Sequence, residues 1–390
     1  MSSLIDSVRS LFAPVRPLPA GLYHFQAPPE AEFPYRLHLR LEPEGNGLLV
    51  VNASTVLHLN PTAAEYAYYL VKGLSSDDAA RAMARRYRVS GTQARKDFVD
   101  FTDRIRALIS TQDLDPVQYL DFGRTDPHTT AISAPLRLDC ALTYRLPAGE
   151  APQAAPVERV KQELSTEQWK AIMDKAWAAG IPQVIFTGGE PTLRDDLAEL
   201  IGHTERIGQV VGVLTDGLRL ADSAYLQALL QSGLDHLMFL LQPENDRSWQ
   251  ALANVLAADL AVTVHVTLLS ESAGALPAVL DKLKERGVRY LSLSAAAPSL
   301  REALQAARDQ AAQLGLTLVW DLPVPYSAFN PIAMETESAV SGAGRSWLYV
   351  EPDGDVLPAQ GQNRVLGNIG TQSWTEVWQQ AQADAQSHSA

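Results

Sequence analysis

The stretch FTGGEPTLRDDL, residues 186–197, decides how the rest of the chain is interpreted. It continues an apolar run, PQVIFT, that is typical of a buried strand, and a helical pattern follows it. Gly188 and Gly189 lack a Cβ, so the backbone can turn tightly there and approach a ligand. Glu190 adds a carboxylate, and Pro191 fixes the exit from the turn. The alternative is a tight strand-to-helix turn capped by Asp195.

The stretch lies within a series of alternating strands and helices. Strand patterns separated by helical patterns of similar length predict parallel βαβ units. Six or seven such units without an eighth predict an α/β fold, an open, partial (βα)6-type TIM barrel over residues 135–325. Active sites of such barrels lie at the carboxyl ends of the strands, which is where residues 188–191 fall. The next strand ends in Thr215, Asp216 and Gly217.

The segments on either side of the barrel have different patterns. Residues 1–20 are interpreted as an N-terminal arm, and residues 21–112 as a small winged-helix-like α+β domain. In that domain a hairpin turns at EGNG, and Asn60 with Pro61 starts the first of three short helices. Residues 113–134 are interpreted as a linker. Residues 326–390 predict a short C-terminal extension with a hairpin and a helix. Tyr66, Tyr68 and Tyr69 are expected to be partly core and partly surface.

Composition excludes several classes of function. The formal net charge is −13, whereas general binding to nucleic acid or to an anionic membrane needs a cationic surface. Without an apolar run of roughly 20 residues, a membrane span is not expected. The N-terminus lacks a signal-peptide pattern, so a cytoplasmic protein is expected. The single cysteine, Cys140, excludes an intrachain disulfide and any metal site built on several cysteines of this chain.

With GGEP after the second strand and Thr215-Asp216-Gly217 after the third, the chain resembles the radical SAM superfamily. In that family the GGEP backbone contacts the methionine amino group of S-adenosylmethionine. The resemblance therefore implies a candidate S-adenosylmethionine pocket. Its residues would be Gly188, Gly189, Glu190, Pro191, Thr215, Asp216 and Gly217.

The chain departs from the family pattern directly after the first strand. The family's cluster loop reads C-x3-C-x2-C, and here its cysteine positions fall on Leu146, Glu150 and Gln153. A four-iron cluster needs thiolates that these residues cannot supply. Cys140 lies earlier, within the strand, and is expected to be a small buried residue. On this basis an iron–sulfur cluster is not expected, although S-adenosylmethionine could still bind.

Both ends of the chain extend the resemblance. The tail YVEPDGDVLPAQGQNRVLGNIGTQSWTEVW is similar to the ends of SPASM or twitch-type maturases, with Ala359 where an auxiliary-cluster cysteine usually stands. The N-terminal unit resembles the PqqD-like recognition element. That element binds a leader peptide as an added strand at a hairpin edge, beside a helix. A peptide or protein partner bound through this unit is therefore expected.

Three functional hypotheses remain open on the sequence. The leading one is a degenerate, non-catalytic pseudoenzyme that serves as a peptide- or partner-binding scaffold, in peptide or cofactor maturation. The second is an S-adenosylmethionine-dependent enzyme of non-radical chemistry. The third is an active radical maturase with unusual cluster ligands, for which Glu150 and Cys140 are the local candidates.

The remaining candidates have simple structural explanations. His236 and His265 lie on predicted strands, where single histidines are more often core residues than ligands. Asp195, Asp196 and Glu199 are expected to complement a helix dipole. Arg345 could reach an anion, or lie in a surface loop.

Overall fold

A computed structural model describes residues 15–28, 30–53, 55–110, 132–148, 154–270, 272–319, 323–327 and 342–387. Within it the chain forms two compact units, which meet in sequence between Ser133 and Ala134.

The first unit pairs four antiparallel strands with three helices. The strands are β1 (Gly21–Gln26), β2 (Arg36–Leu41), β3 (Gly47–Val51) and β4 (Thr55–Leu59), and they lie in the order β1-β2-β3-β4. The helices are α1 (Pro61–Val71), α2 (Ser76–Arg86) and α3 (Gly91–Ser110). The predicted start of α1 is confirmed, since Asn60 accepts a hydrogen bond from the backbone N of Ala63 and Pro61 is the first helical residue.

Two features of this unit were not predicted. Strand β1 lengthens the sheet beyond the hairpin, because residues 21–26 pair along their whole length with β2. Glu65 is buried in α1 and accepts hydrogen bonds from the hydroxyls of Tyr69 (2.5 Å) and Tyr87 (3.0 Å). Arg86 adds an ion pair to Glu65, which therefore joins α1 to the end of α2.

The second unit contains a series of parallel strands separated by helices. The strands are β5 (Arg137–Thr143), β6 (Gln183–Gly188), β7 (Val210–Thr215), β8 (His236–Leu240), β9 (Ala261–Leu268), β10 (Tyr290–Ala295) and β11 (Thr317–Leu318). The helices are α4 (Thr166–Ala178), α5 (Leu197–Ile207), α6 (Ser223–Gln231), α7 (Asp246–Leu256), α8 (Leu276–Glu285) and α9 (Arg301–Gln313). These strands are hydrogen-bonded in sequence order, which confirms the α/β prediction.

The C-terminal extension continues this sheet. It contains β12 (Trp347–Val350), β13 (Asp355–Leu357), β14 (Gly367–Asn368) and α10 (Trp374–Ser387). Strand β12 pairs in parallel with β5, and β13 and β14 follow antiparallel. The hairpin therefore lengthens the barrel sheet at the edge formed by its first strand.

Strand register defines the two faces of the sheet. Asp139, Ile185 and Gly212 occupy paired positions on one face, which also carries Leu214 and Met238. We call this the inner face. The opposite face carries fully buried residues such as Leu138, Phe186 and Val213, as expected of a face covered by connecting helices.

Candidate functional site

The GGEP turn packs directly against the exit of β5. A Cβ on Gly188, whose φ is +131°, would lie 2.1 Å from the carbonyl oxygen of Thr143. A Cβ on Gly189 would lie 2.2 Å from the carbonyl oxygen of Arg145. The backbone N of Gly189 donates to the Thr143 carbonyl at 2.8 Å, and that of Glu190 donates to the Arg145 carbonyl at 2.9 Å. Both positions therefore require glycine, because any side chain would clash with the backbone at the exit of β5.

Glu190 joins the ends of β6 and β7. Its side chain is 3% exposed. Oxygen Oε1 accepts hydrogen bonds from the backbone N (2.9 Å) and the hydroxyl (2.5 Å) of Thr192, and from the Thr215 hydroxyl (2.7 Å). Oxygen Oε2 accepts one from the backbone N of Asp216 at 2.8 Å. Burial raises the pKa of this carboxyl group, and the hydrogen bonds oppose that rise.

The turn after β7 is shaped by its own residues. Gly217 has φ +73°, and a Cβ there would lie 2.0 Å from the ring of Phe239. The Asp216 side chain accepts a hydrogen bond from the backbone N of Leu218 at 2.9 Å. Through Glu190 the structure brings the two predicted groups, residues 188–191 and 215–217, together at the carboxyl edge of the sheet.

Thr187 is a candidate residue that the sequence analysis missed. It immediately precedes Gly188 and is fully buried. Its register with Ala141 places it on the inner face. Among the residues that the structure describes, its hydroxyl has no hydrogen-bond partner. An unpaired buried hydroxyl costs roughly 1–3 kcal/mol, so this position suits a polar ligand. No sequence signal separates it from other strand threonines.

Residues 323–327 run across the inner face beside this turn. The backbone N of Tyr326 donates to the Gly188 carbonyl oxygen at 2.8 Å. Val324 packs against Ile185, Leu214 and Met238. A carbonyl oxygen has two acceptor positions, so Tyr326 leaves one free at Gly188.

A buried polar network lies next to this segment. Glu351, which follows β12, accepts hydrogen bonds from Nε (2.9 Å) and Nη2 (2.7 Å) of Arg159 and from the Tyr144 hydroxyl (3.0 Å). The ring of Tyr144 meets that of Tyr326 edge to face, with 5.6 Å between their centroids. Burial, and then the charge of Glu351, raise the pKa of Tyr144 well above its usual value. The network ties the C-terminal extension to β5.

The positions aligned with the cluster cysteines supply no thiolate. Leu146 packs against the apolar cluster around Tyr144, whereas Glu150 and Gln153 lie outside the described residues. Cys140 pairs in register with Phe186, so it faces away from the inner face, and burial raises its thiol pKa. Ala359 is buried. Within the described part of the chain, three or more His, Cys, Asp or Glu side chains do not gather into a metal-binding group.

The structure explains the other candidates by local contacts. His236 lies against Gln183, with 3.3 Å between Nε2 atoms, and His265 contacts the hydroxyls of Ser292 (3.0 Å) and Thr267 (3.1 Å). Asp196 pairs with Arg194, Glu199 pairs with Lys170, and Arg345 donates to the Ala385 carbonyl. The predicted dipole role of Asp195, Asp196 and Glu199 stays a prediction.

Comparisons with known proteins agree with this geometry. Residues 140–256 match the model of the Radical SAM superfamily. Residues 342–389 match the SPASM model, which describes an iron–sulfur cluster-binding domain. The first match contains both turns at the mouth of the barrel, and the second contains Glu351.

Two curated relatives are PqqA peptide cyclases, and one similar solved structure contains a bound precursor peptide. The chain is 28% identical over 280 residues to a PqqA peptide cyclase of Streptomyces rochei, covering 64% of this chain and 76% of the relative. It is 26% identical to that of Granulibacter bethesdensis, covering 65% and 76%. The fold is similar to Streptococcus suis SuiB bound to its precursor peptide SuiA, with a TM-score of 0.58 and 16% identity over 87% of this chain and 86% of SuiB.

These findings overturn two expectations. The non-catalytic scaffold, and with it the pseudoenzyme, is wrong, because relatives over about two thirds of the chain are peptide cyclases. The expectation that no iron–sulfur cluster is involved is also contradicted, because the SPASM model describes a cluster-binding domain. Both errors came from judging activity by one missing motif.

The fit between this chain and such a cluster is poor nonetheless. Cys140 is the one cysteine in the sequence, and it is buried on the far face of the sheet. A cluster needs several thiolates, which the residues of this chain do not provide. The residues of this chain therefore do not fit a four-iron cluster. S-adenosylmethionine fits better, because the unpaired Thr187 hydroxyl and the Gly188 carbonyl, which keeps a second acceptor position, belong to consecutive residues.

One further comparison concerns membranes. Among the described residues, no helix has both the length and the apolarity that crossing a bilayer requires.

In its parallel sheet and in the GGEP turn at the carboxyl edge of that sheet, the chain is similar to radical SAM and SPASM proteins and to the peptide cyclase relatives.

Proposed function

We propose that this protein is a peptide-modifying enzyme of the radical SAM/SPASM maturase family that uses S-adenosylmethionine. The observation that carries the proposal is the joining of the GGEP and Thr215-Asp216-Gly217 turns through Glu190 at the mouth of the barrel. The PqqA peptide cyclase relatives and the fold shared with peptide-bound SuiB support a peptide as the substrate.

In this proposal the residues at the mouth hold S-adenosylmethionine. Gly188 offers its second carbonyl acceptor position to the methionine amino group, and Thr187 offers its hydroxyl. Glu190 does not contact the ligand, because its oxygens are occupied by Thr192, Thr215 and Asp216. Its role is to fix the distance between the turns that hold Pro191 and Gly217. S-adenosylmethionine, when bound, supplies a sulfonium whose carbon–sulfur bonds are weak enough to react.

The N-terminal unit would recognise the peptide. Strand β4 is the last strand of its sheet, and among the described residues no strand pairs with its outer edge. An edge strand offers unpaired backbone groups to an extended peptide. On β4 the Nε2 atom of His58 is buried and lacks a hydrogen-bond partner in the described part of the chain. This combination supports PqqD-like strand addition at β4.

Titration calorimetry with S-adenosylmethionine tests whether the residues at the mouth of the barrel bind this ligand. Thr187→Val removes the unpaired hydroxyl at nearly constant volume, and we expect it to weaken binding by roughly tenfold, the value of one hydrogen bond. Thr204→Val is the matched control, because Thr204 is equally buried but donates to the Leu200 carbonyl within α5. Equal affinity of the wild type and Thr187→Val would exclude this pocket.

Peptide recognition at β4 is tested in two steps. Binders are selected from a random peptide library, and hydrogen exchange is then measured on the whole chain with a selected peptide. A selected peptide should slow exchange of the β4 amides and leave the β1 amides, at the other edge, unchanged. Protection confined to β1, or to neither edge strand, would contradict recognition at β4.

A further inference from the structure

The 323–327 segment has the sequence PVPYS and lies outside the helices and strands β1 to β14. It lies on the inner face of the barrel sheet, next to the GGEP turn. Two of its residues face that sheet. Val324 packs against Ile185, Leu214 and Met238, and Tyr326 is buried with its backbone N donating to Gly188.

The main chain of this segment is held by a side-chain amide. Gln360 donates from Nε2 to the carbonyl oxygen of Val324 at 2.7 Å. Its Oε1 accepts a hydrogen bond from the backbone N of Val324 at 3.2 Å. Gln360 thus makes both of the hydrogen bonds that a neighbouring strand would make with one residue of an extended chain. Such a pair recognises the backbone and does not depend on the side chain.

Alternate side chains of the segment enter two different environments. In an extended chain residues i and i+2 point to the same side, as Val324 and Tyr326 do here. Val324 meets aliphatic and methionine side chains. Tyr326 is 3% exposed and belongs to a cluster with Tyr144, Ala155, Tyr349 and Leu357. The surroundings of the segment therefore accommodate a small aliphatic side chain followed, two positions later, by a tyrosine ring.

We propose that the Gly188 carbonyl, the Gln360 amide and the pocket beside Tyr144 form a binding site for an extended peptide, and that the 323–327 segment occupies this site in the absence of substrate. The inference deepens the proposed function and rests on it, since it names a second peptide-binding part of the molecule, in addition to the edge of β4. A tethered segment competes at a millimolar effective concentration, so a short peptide must displace it.

The direct test uses a fluorescently labelled, end-capped PVPYS peptide and anisotropy measurements on the full chain. Tyr326→Ala vacates the aromatic pocket but keeps Gly188 and Gln360. We expect this variant to bind PVPYS at least tenfold more tightly than the wild type does, and at least tenfold more tightly than it binds PVPAS. The double variant Tyr326→Ala/Gln360→Ala should lose that gain. Equal binding of PVPYS and PVPAS, or no loss in the double variant, would overturn the proposal.

A second measurement needs no variant. Millimolar PVPYS added to the wild type should speed hydrogen exchange at the amides of Val324 and Tyr326, because the peptide displaces them. The scrambled peptide YPSVP should have no such effect. Unchanged exchange, or the same change with both peptides, would overturn the proposal and leave the segment as a fixed part of the barrel.

The outcome is separable from that of the proposed function. Failure of PVPYS to bind, together with S-adenosylmethionine binding that depends on Thr187, would refute this inference alone. Binding of PVPYS without S-adenosylmethionine binding would leave a peptide site on a protein that has another activity.

Discussion

Oxygen Oε1 of Glu190 accepts a hydrogen bond from the Thr215 hydroxyl at 2.7 Å, and this bond joins the ends of the neighbouring parallel strands β6 and β7. The other carboxylate oxygen accepts a hydrogen bond from the backbone N of Asp216, the residue that follows Thr215. A buried carboxylate is stable only when such donors surround it. Glu190 therefore has a structural role, because it links the GGEP turn to the turn after β7.

The variant Glu190→Gln tests this structural role through its effect on the unfolding free energy. An amide has one acceptor oxygen where the carboxylate has two, so at least one buried donor loses its partner at a cost of about 1–3 kcal/mol. Glu199→Gln is the control, since Glu199 is 57% exposed in its ion pair with Lys170 and such pairs contribute under about 1 kcal/mol. Urea unfolding measures the stability of both variants relative to the wild type. A loss of stability no larger for Glu190→Gln than for Glu199→Gln would contradict the role.

Gly189→Ala should disrupt the mouth through sterics. The added methyl group would lie 2.2 Å from the Arg145 carbonyl oxygen, so the backbone must move. We expect a loss of about 1–3 kcal/mol of unfolding free energy and weaker S-adenosylmethionine binding. Gly202 lies within helix α5, and a Cβ there would lie 3.7 Å from the Ser232 carbonyl oxygen, so Gly202→Ala is expected to gain up to about 1 kcal/mol. Similar effects of the two substitutions would refute the steric account.

Arg159→Gln should test the network around Glu351. Glu351 is 3% exposed, and Arg159 makes two hydrogen bonds to its carboxylate. Because the Arg159 side chain is 30% exposed, water partly replaces the lost partner, and we expect a cost of about 1–3 kcal/mol. Asp174→Asn serves as control, because Asp174 pairs with His203 at the surface. A cost below about 1 kcal/mol for Arg159→Gln, measured by urea unfolding, would show that the network does not anchor the C-terminal extension.

His236 predicts a pH dependence of stability. Burial, and then the positive charge of Arg137, lower its pKa from the usual 6.5 to about 4. The unfolded chain therefore binds a proton more readily, so the stabilising contribution is complete above pH 6.5 and is lost as pH falls towards 4. The loss amounts to at most about 3 kcal/mol.

His236→Gln should remove this part of the pH dependence. The difference in unfolding free energy between pH 7.5 and pH 4.5 should shrink in this variant. A full pH dependence in His236→Gln would show that another group is responsible.

Features set by local sequence could be predicted well. The start of α1 at Asn60 and Pro61 and the end of β6 at the GGEP turn agree with the structure. Each depends on residues a few positions apart, so spacing alone carries the information. The same holds for the placement of both candidate turns at one edge of the sheet, because parallel strands align their carboxyl ends.

Features set by long-range contacts could not be predicted. The pairing of β12 with β5 joins residues about two hundred positions apart, and no motif marks it. The contact of Tyr326 with Gly188, and the inward direction of Glu190, depend equally on tertiary packing. The missing cysteines were visible in the sequence, but they could not show whether the rest of the site had kept its function.

The most direct test of the central claim is mass spectrometry of a library-selected peptide after anaerobic incubation with the full chain, a reductant and S-adenosylmethionine. We expect a change in peptide mass that requires both the protein and S-adenosylmethionine and that is strongly reduced in Gly189→Ala. An unaltered peptide mass, although the peptide and S-adenosylmethionine both bind, would contradict the claim that this protein modifies peptides.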